Sequence, residues 1–128
     1  MIVADASVVF DALAGPGDAQ DRLLADAVEV PHLIDAEIAH ALRGQVRRGR
    51  VGPDVARDRL ARWIRFPVRR HDALPLMARV WDLRDVLSAY DAMYAALAEA
   101  LRCPLLTADL RLARAPGLRC EVVVVRRG

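Results

Sequence analysis

Four carboxylates in this chain stand where side chains can do chemistry. Asp5 ends the apolar run Ile2-Val3-Ala4 and is followed by Ala6, Ser7 and a helix-like stretch. Asp109 repeats that arrangement, because Leu105-Leu106 runs into Thr107 and Ala108 before the acid and a second short helical stretch. A carboxylate delivered to the C-terminal tip of a strand lies where open parallel α/β sheets bind ligands. The same placement also suits a turn former or a helix cap, and on local grounds that is the commoner role of such an Asp. Asp91 follows Ser88 by three residues at the start of an alanine-rich helix, which matches a capping box. Glu37 is less easily explained. It falls between Leu33/Ile34 and Ala41 at helical spacing, so it points along the apolar side of its helix. An ionised carboxylate buried there without a partner is costly. Either it sits at the stripe's edge, snorkelling or paired with an arginine, or it serves a site.

If the strands ending at Asp5 and Thr107 are sheet neighbours at the point where strand order reverses, Asp5 and Asp109 converge there. Gathered carboxylates repel one another, and a bound proton or cation relieves the charge. An all-oxygen cluster without His or Cys suits Mg²⁺ or Mn²⁺, which keep waters and accept phosphate oxygens as further ligands. Such an ion activates water and stabilises the leaving oxygen of a phosphodiester. A basic surface beside the cluster would then hold a polyanion.

The elements that must position these acids are readable in outline. Strands are expected at Ile2–Ala4, Val28–Pro31, Pro104–Thr107 and Cys120–Val125, with a short edge strand within Phe66–Arg70. The β-branched run at Cys120–Val125 predicts burial on both faces. Helices are expected after Ser7, over Asp18–Ala27, Leu33–Arg48, Asp54–Arg65, Leu74–Asp85 and Ser88–Leu101, and briefly from Asp109 to about Ala113. Gly15-Pro16-Gly17 and Pro116-Gly117 read as breaks. Ala56, Leu60, Trp63 and Ile64 form one predicted apolar stripe; Leu76, Met77, Val80, Trp81 and Leu83 form another. Helices alternating with short strands imply an α/β class with a parallel sheet of four or five strands, in a single domain over residues 1–128.

Composition narrows the chemistry. Hydrophobic residues make up 55% and charged residues 28%, which is the balance of a folded protein able to bury a core. Charges interrupt every apolar run before the length of a membrane span. No basic region precedes an apolar leader, so no secretory signal is read at the start. Cys103 and Cys120 do not form a CxxC pair, and His32, His40 and His71 are scattered. Reduced thiols in a cytoplasmic protein are therefore expected, with no zinc site. All nineteen basic residues are arginine, which excludes any mechanism that needs a lysine. The arginines cluster at Arg43–Arg50, Arg57–Arg65 and Arg69/Arg70; solvated helix faces account for such runs, and a polyanion surface is the alternative.

Together these motifs resemble the PIN-domain ribonucleases, and within them the VapC toxins of bacterial toxin–antitoxin pairs. The resemblance runs nearly end to end: Ile2-Val-Ala-Asp5-Ala-Ser7, Glu37-Ile-Ala-His-Ala-Leu-Arg43, Tyr90-Asp91-Ala-Met-Tyr-Ala-Ala-Leu-Ala-Glu99 and Pro104-Leu-Leu-Thr-Ala-Asp109-Leu-Arg-Leu-Ala113. It implies a three-layer α/β/α PIN-like fold and an acidic quartet at Asp5, Glu37, Asp91 and Asp109. The quartet would bind Mg²⁺ or Mn²⁺ for hydrolysis of single-stranded or looped RNA, with Thr107 and Ser7 at the supporting hydroxyl positions. It further implies a homodimer restrained by a small VapB-like antitoxin that lies over the acidic pocket. Phe, Trp and Tyr, two each, give base stacking little support. Three other readings stand beside this one. A phosphatase or phospho-acceptor domain also places an Asp after its first strand, but normally calls for a lysine. A non-enzymatic PIN-like binding module would be favoured by loss of acids, and all four are present. A stand-alone nuclease would lack the antitoxin.

Overall fold

A computed structural model of the chain describes residues 1–127. Five short strands form one sheet: β1 (Ile2–Ala4), β2 (Val28–Pro31), β3 (Arg69–His71), β4 (Leu105–Thr107) and β5 (Val122–Val124). Their order is β3-β2-β1-β4-β5, and every pairing is parallel. The chain starts at the centre, builds outward through β2 and β3, then returns to the other side of β1 for β4 and β5. The reversal of strand order lies between β1 and β4, where open sheets form a crevice at their C-terminal ends. Val3 pairs with Leu105 and Ala4 with Leu106 in that seam, so Asp5 and Thr107 leave the sheet side by side.

The helices are α1 (Ala6–Ala14), α2 (Asp18–Leu24), α3 (Ile34–Arg47), α4 (Pro53–Arg65), α5 (Met77–Asp82), α6 (Ala89–Leu101) and α7 (Leu110–Ala113). Helices α1 to α4 pack on one another, α5 packs on α6, and α6 lies across β1, β2 and β4. The result is a three-layer α/β/α arrangement. Val3, Ala4, Val30, Leu105 and Leu106 of the inner strands are buried, as are Val8, Ile34 and Ile38 of α1 and α3 and Ala95, Leu97 and Ala98 of α6. Burying each valine, leucine or isoleucine among them stabilises by about 1.5–3 kcal/mol. None of the described helices is long and apolar enough to cross a membrane.

Several expectations need correction. The run Cys120–Val125 is not buried on both faces. It contributes only Val122–Val124, an edge strand with half-buried and exposed residues, and among the described residues no strand pairs with its outer side. Leu74–Asp85 is not one helix. Pro75 lies in a 3-10 turn at Leu74–Leu76, and a short α5 follows. Of its apolar residues Leu76, Val80 and Leu83 are buried, while Met77 and Trp81 face outward, with the Arg84 guanidinium 4.7 Å from the Trp81 ring centroid. In α4, Ala56 and Trp63 are buried and Leu60 is half-buried, but Ile64 is exposed. Helix α2 ends at Leu24 rather than Ala27, and the edge strand expected before Arg70 is β3, shifted to Arg69–His71. The arginines of α3 and α4 are mostly solvated; Arg62 reaches back to donate to the Leu13 carbonyl at 2.9 Å.

Candidate active site

Asp5 is the N-cap of α1 and is buried at the C-terminal tip of β1. Its Oδ1 accepts from the Val8 N–H at 3.2 Å and from the Ser7 hydroxyl at 2.5 Å. Its Oδ2 accepts from Thr107 Oγ1 at 2.5 Å, across the seam from β4. Thr107 in turn accepts from the Asp109 N–H at 3.0 Å, and Ser7 Oγ accepts from the Ala108 N–H at 3.0 Å. Capping is thus real, yet it uses a small part of this network. Two hydroxyls tie the ends of β1 and β4 together around one carboxylate.

Asp91 stands in the first turn of α6, whose N-cap Ser88 accepts from the Asp91 N–H at 3.2 Å. Glu37 comes from the first turn of α3 and is bonded to no arginine among the described residues. Its Oε1 accepts from the Tyr94 hydroxyl at 2.5 Å, so its position on the apolar side is explained by a phenol. Asp109 caps α7, accepting from the Arg111 N–H at 2.8 Å and from Arg111 Nη2 at 3.0 Å.

The electrostatics show which acids are brought together. Burial pushes the Asp5 carboxyl up, against the pull of Ser7, Thr107 and the Val8 N–H, and the nearby Asp91 charge raises it further. Burial raises Glu37 also; Tyr94 counters this, while Asp91 and Asp5 add to it. For Asp91, burial and then Asp109 raise the carboxyl, with Arg111 and Ser88 opposing. Asp109 goes the other way. Burial pushes it up, but the hydrogen bonds and charge of Arg111 outweigh this and hold it below its ordinary value. The Asp91 charge thus acts on Asp5, both act on Glu37, and Asp109 lies at the rim beside Asp91, already matched by its own cation.

This donor set suits a hard divalent cation. It offers oxygen alone, and among the described residues only its Asp109 is bonded to an arginine. As the protein holds them, no three His, Cys, Asp or Glu side chains among the described residues are close enough to share one ion. Asp5 has both of its oxygens engaged by hydroxyls. Two participants escape a reading of the sequence. Tyr94 stands in the sequence only as one residue of the Tyr90–Glu99 motif, although a phenol on an alanine-rich helix that is buried needs a partner. Arg111 carries no motif of its own.

The PIN domain family model matches residues 2–118. Ribonuclease VapC9 of Mycobacterium tuberculosis is 46% identical over 127 residues, covering 99% of this chain and 100% of its own length. Ribonuclease VapC1 of the same organism is 44% identical over 129 residues, with 97% of each chain covered. Among solved structures, VapBC2 from Rickettsia felis bound to a promoter DNA fragment superposes with a TM-score of 0.73 at 13% identity, covering 98% of this chain and 100% of that one. That last likeness is one of fold.

Proposed function

The chain belongs to the PIN-domain family, and on that premise we propose that it is an endoribonuclease, the toxin of a toxin–antitoxin pair. Residues 1–128 act as one PIN-like unit in this reading, at work in the cytoplasm where its RNA is found. The observation that supports it most directly is the placement of Asp5 at the β1/β4 seam, with Asp91 near enough to raise its carboxyl and both near enough to raise that of Glu37. The near full-length likeness to proteins named as VapC ribonucleases supports the substrate class.

Divalent metal use is general to PIN-domain ribonucleases, and we assign Mg²⁺ or Mn²⁺ to this site. Asp5, Glu37 and Asp91 would hold it, with Asp109 joining from the rim. Bound there, the ion supplies an activated water and neutralises charge on the scissile phosphodiester. The protein's own groups do the rest. Thr107 and Ser7 fix the Asp5 rotamer, and Ser88 fixes the helix start from which Asp91 projects. Arg111 neutralises Asp109 until another cation competes for it. The partners we assign are an RNA substrate, a second copy of the chain and a small VapB-like antitoxin.

Cleavage of structured RNA by the purified chain, dependent on added Mg²⁺ or Mn²⁺ and stopped by chelator, is the test. Asp5→Asn should lower the rate by about a hundredfold or more, the scale of losing one preorganised charge at a reacting centre. Unchanged cleavage in that variant refutes the role of Asp5. Growth arrest on expression alone, rescued by a small protein encoded next to the gene, tests the toxin assignment; continued growth favours a stand-alone nuclease.

A further inference from the structure

Helix α6 carries one hydroxyl into the core. Tyr94 is 1% exposed, and the buried residues that follow it, Ala95, Ala96, Leu97 and Ala98, are all apolar. A phenylalanine would fill nearly the same volume without an oxygen to satisfy, and a buried hydroxyl is tolerated when it is hydrogen-bonded. The partner is Glu37 Oε1, 2.5 Å away and 57 positions distant in sequence.

We propose that Tyr94 is a positioning residue of the acidic site: it grips Glu37 by Oε1 so that Oε2 is presented, in a fixed rotamer and with its charge intact, to a divalent cation entering that site. The inference rests on the metal-site reading of those acids. Two observations carry it. Glu37 Oε2 accepts no hydrogen bond among the described residues, and it is not a buried orphan, so it remains open to a ligand. The second observation is the type of donor. Elsewhere the chain fixes half-buried acids with arginine: Arg79 on Glu99 at 2.7 Å and Arg70 on Asp35 at 2.8 Å. Arginine would cancel the charge of Glu37 as well as orient it, whereas a phenol orients the carboxylate and leaves its charge free for a cation.

The test is Mn²⁺ binding to the metal-free full chain, followed by calorimetry, with RNA cleavage measured alongside. Tyr94→Phe should weaken Mn²⁺ binding about tenfold, the usual scale for losing a group that orients a metal ligand. Cleavage should fall in kcat with little change in KM. In a Glu37→Gln background the same Tyr94→Phe change should add less than about twofold, because the carboxylate it acts through is gone. Glu37→Asp keeps the charge but shortens the reach to the phenol. It should match the loss of Tyr94→Phe, and it carries the test if that variant does not fold. Wild-type affinity in both Tyr94→Phe and Glu37→Asp overturns the proposal. So does a Tyr94→Phe loss that persists undiminished beside Glu37→Gln, which would mark a packing effect. A wild-type chain that binds no Mn²⁺ overturns the metal reading itself, an outcome distinct from either.

Discussion

Asp91 and Asp109 are both acids in the first turn of a helix or at its cap, yet neutralising them should change stability in opposite directions. Asp91 is half-buried, and its carboxyl is raised by burial and by the Asp109 charge, with no arginine bonded to it. Replacing it by Asn removes the desolvation and like-charge cost, about 1–2 kcal/mol before solvent screening reduces it. The change also forfeits the attraction between a first-turn carboxylate and the helix dipole, about 0.5 kcal/mol. The balance favours Asp91→Asn by about 0.5–1 kcal/mol in metal-free protein. For Asp109 the carboxylate is matched by Arg111 and caps α7, and its carboxyl is held low. Asn can keep the cap, so Asp109→Asn should cost no more than about 0.5 kcal/mol for an exposed pair. Asp109→Ala loses the cap too and should cost about 1–1.5 kcal/mol. Urea unfolding at pH 7 with chelator present reads all three. In heat the first variant should gain about 1–4 °C and the last lose a similar amount or slightly more. Destabilisation by Asp91→Asn of more than about 1 kcal/mol would refute the argument, since it would make Asp91 a structural cap rather than a strained member of an acid cluster.

Other outcomes follow from single contacts. Thr107→Val should destabilise by about 1–3 kcal/mol in the same urea assay, because it leaves Asp5 Oδ2 and the Asp109 N–H without their shared hydroxyl inside the seam. Glu99 holds Arg79 at 2.7 and 3.2 Å and the Arg119 N–H at 2.8 Å. Burial pushes its carboxyl up, but those bonds win and hold it low. Its contribution should be present above the ordinary glutamate pKa and vanish as pH falls through the depressed folded value. Glu99→Gln should therefore cost about 1–2 kcal/mol at pH 7, after allowance for screening, and almost nothing near pH 2. Equal losses at both pH values would show that Glu99 acts through packing.

The sequence discloses the inner elements better than the outer ones. β1, β4 and α6 are where expected because their apolar patterns are long or dense, and because Ser88 and Asp109 mark helix starts by capping chemistry. The β-branched run Val122 to Val125 looks the same whether its strand is central or at an edge, and β5 lies at the edge with its residues half-buried and exposed. Met77, Trp81 and Ile64 point outward for a related reason. Helical spacing places residues on a common face but does not say which turn has a neighbour. Among the acids, position on strand tips and helix starts was visible in the pattern. What Glu37 touches was not. An arginine partner was one expectation, and the actual partner is a phenol 57 positions away whose sequence context reads as core.

That phenol also alters how the site is built. Asp91 and Tyr94 are three residues apart on α6, so one helix fixes Asp91 directly and Glu37 through a hydrogen bond. Asp5 is fixed from two strands through Thr107 and Ser7. These three acids thus hang on a buried helix and the central seam, where rotation or drift would break core packing. Asp109 hangs on α7, a helix of four residues, and its carboxylate is tied to an arginine on the same short segment, 86% exposed in its side chain. Breaking that pair costs little, because exposed ion pairs contribute about 0–1 kcal/mol. Asp109 is thus the most weakly held of the four acids. Asp109 is then the one acid free to exchange its partner, and substitutions at Arg111 should alter metal affinity without unfolding the chain. Arg111→Ala should tighten Mn²⁺ binding severalfold by removing the competing charge, and weaker binding in that variant would mean that the arginine helps hold Asp109 in place for the ion.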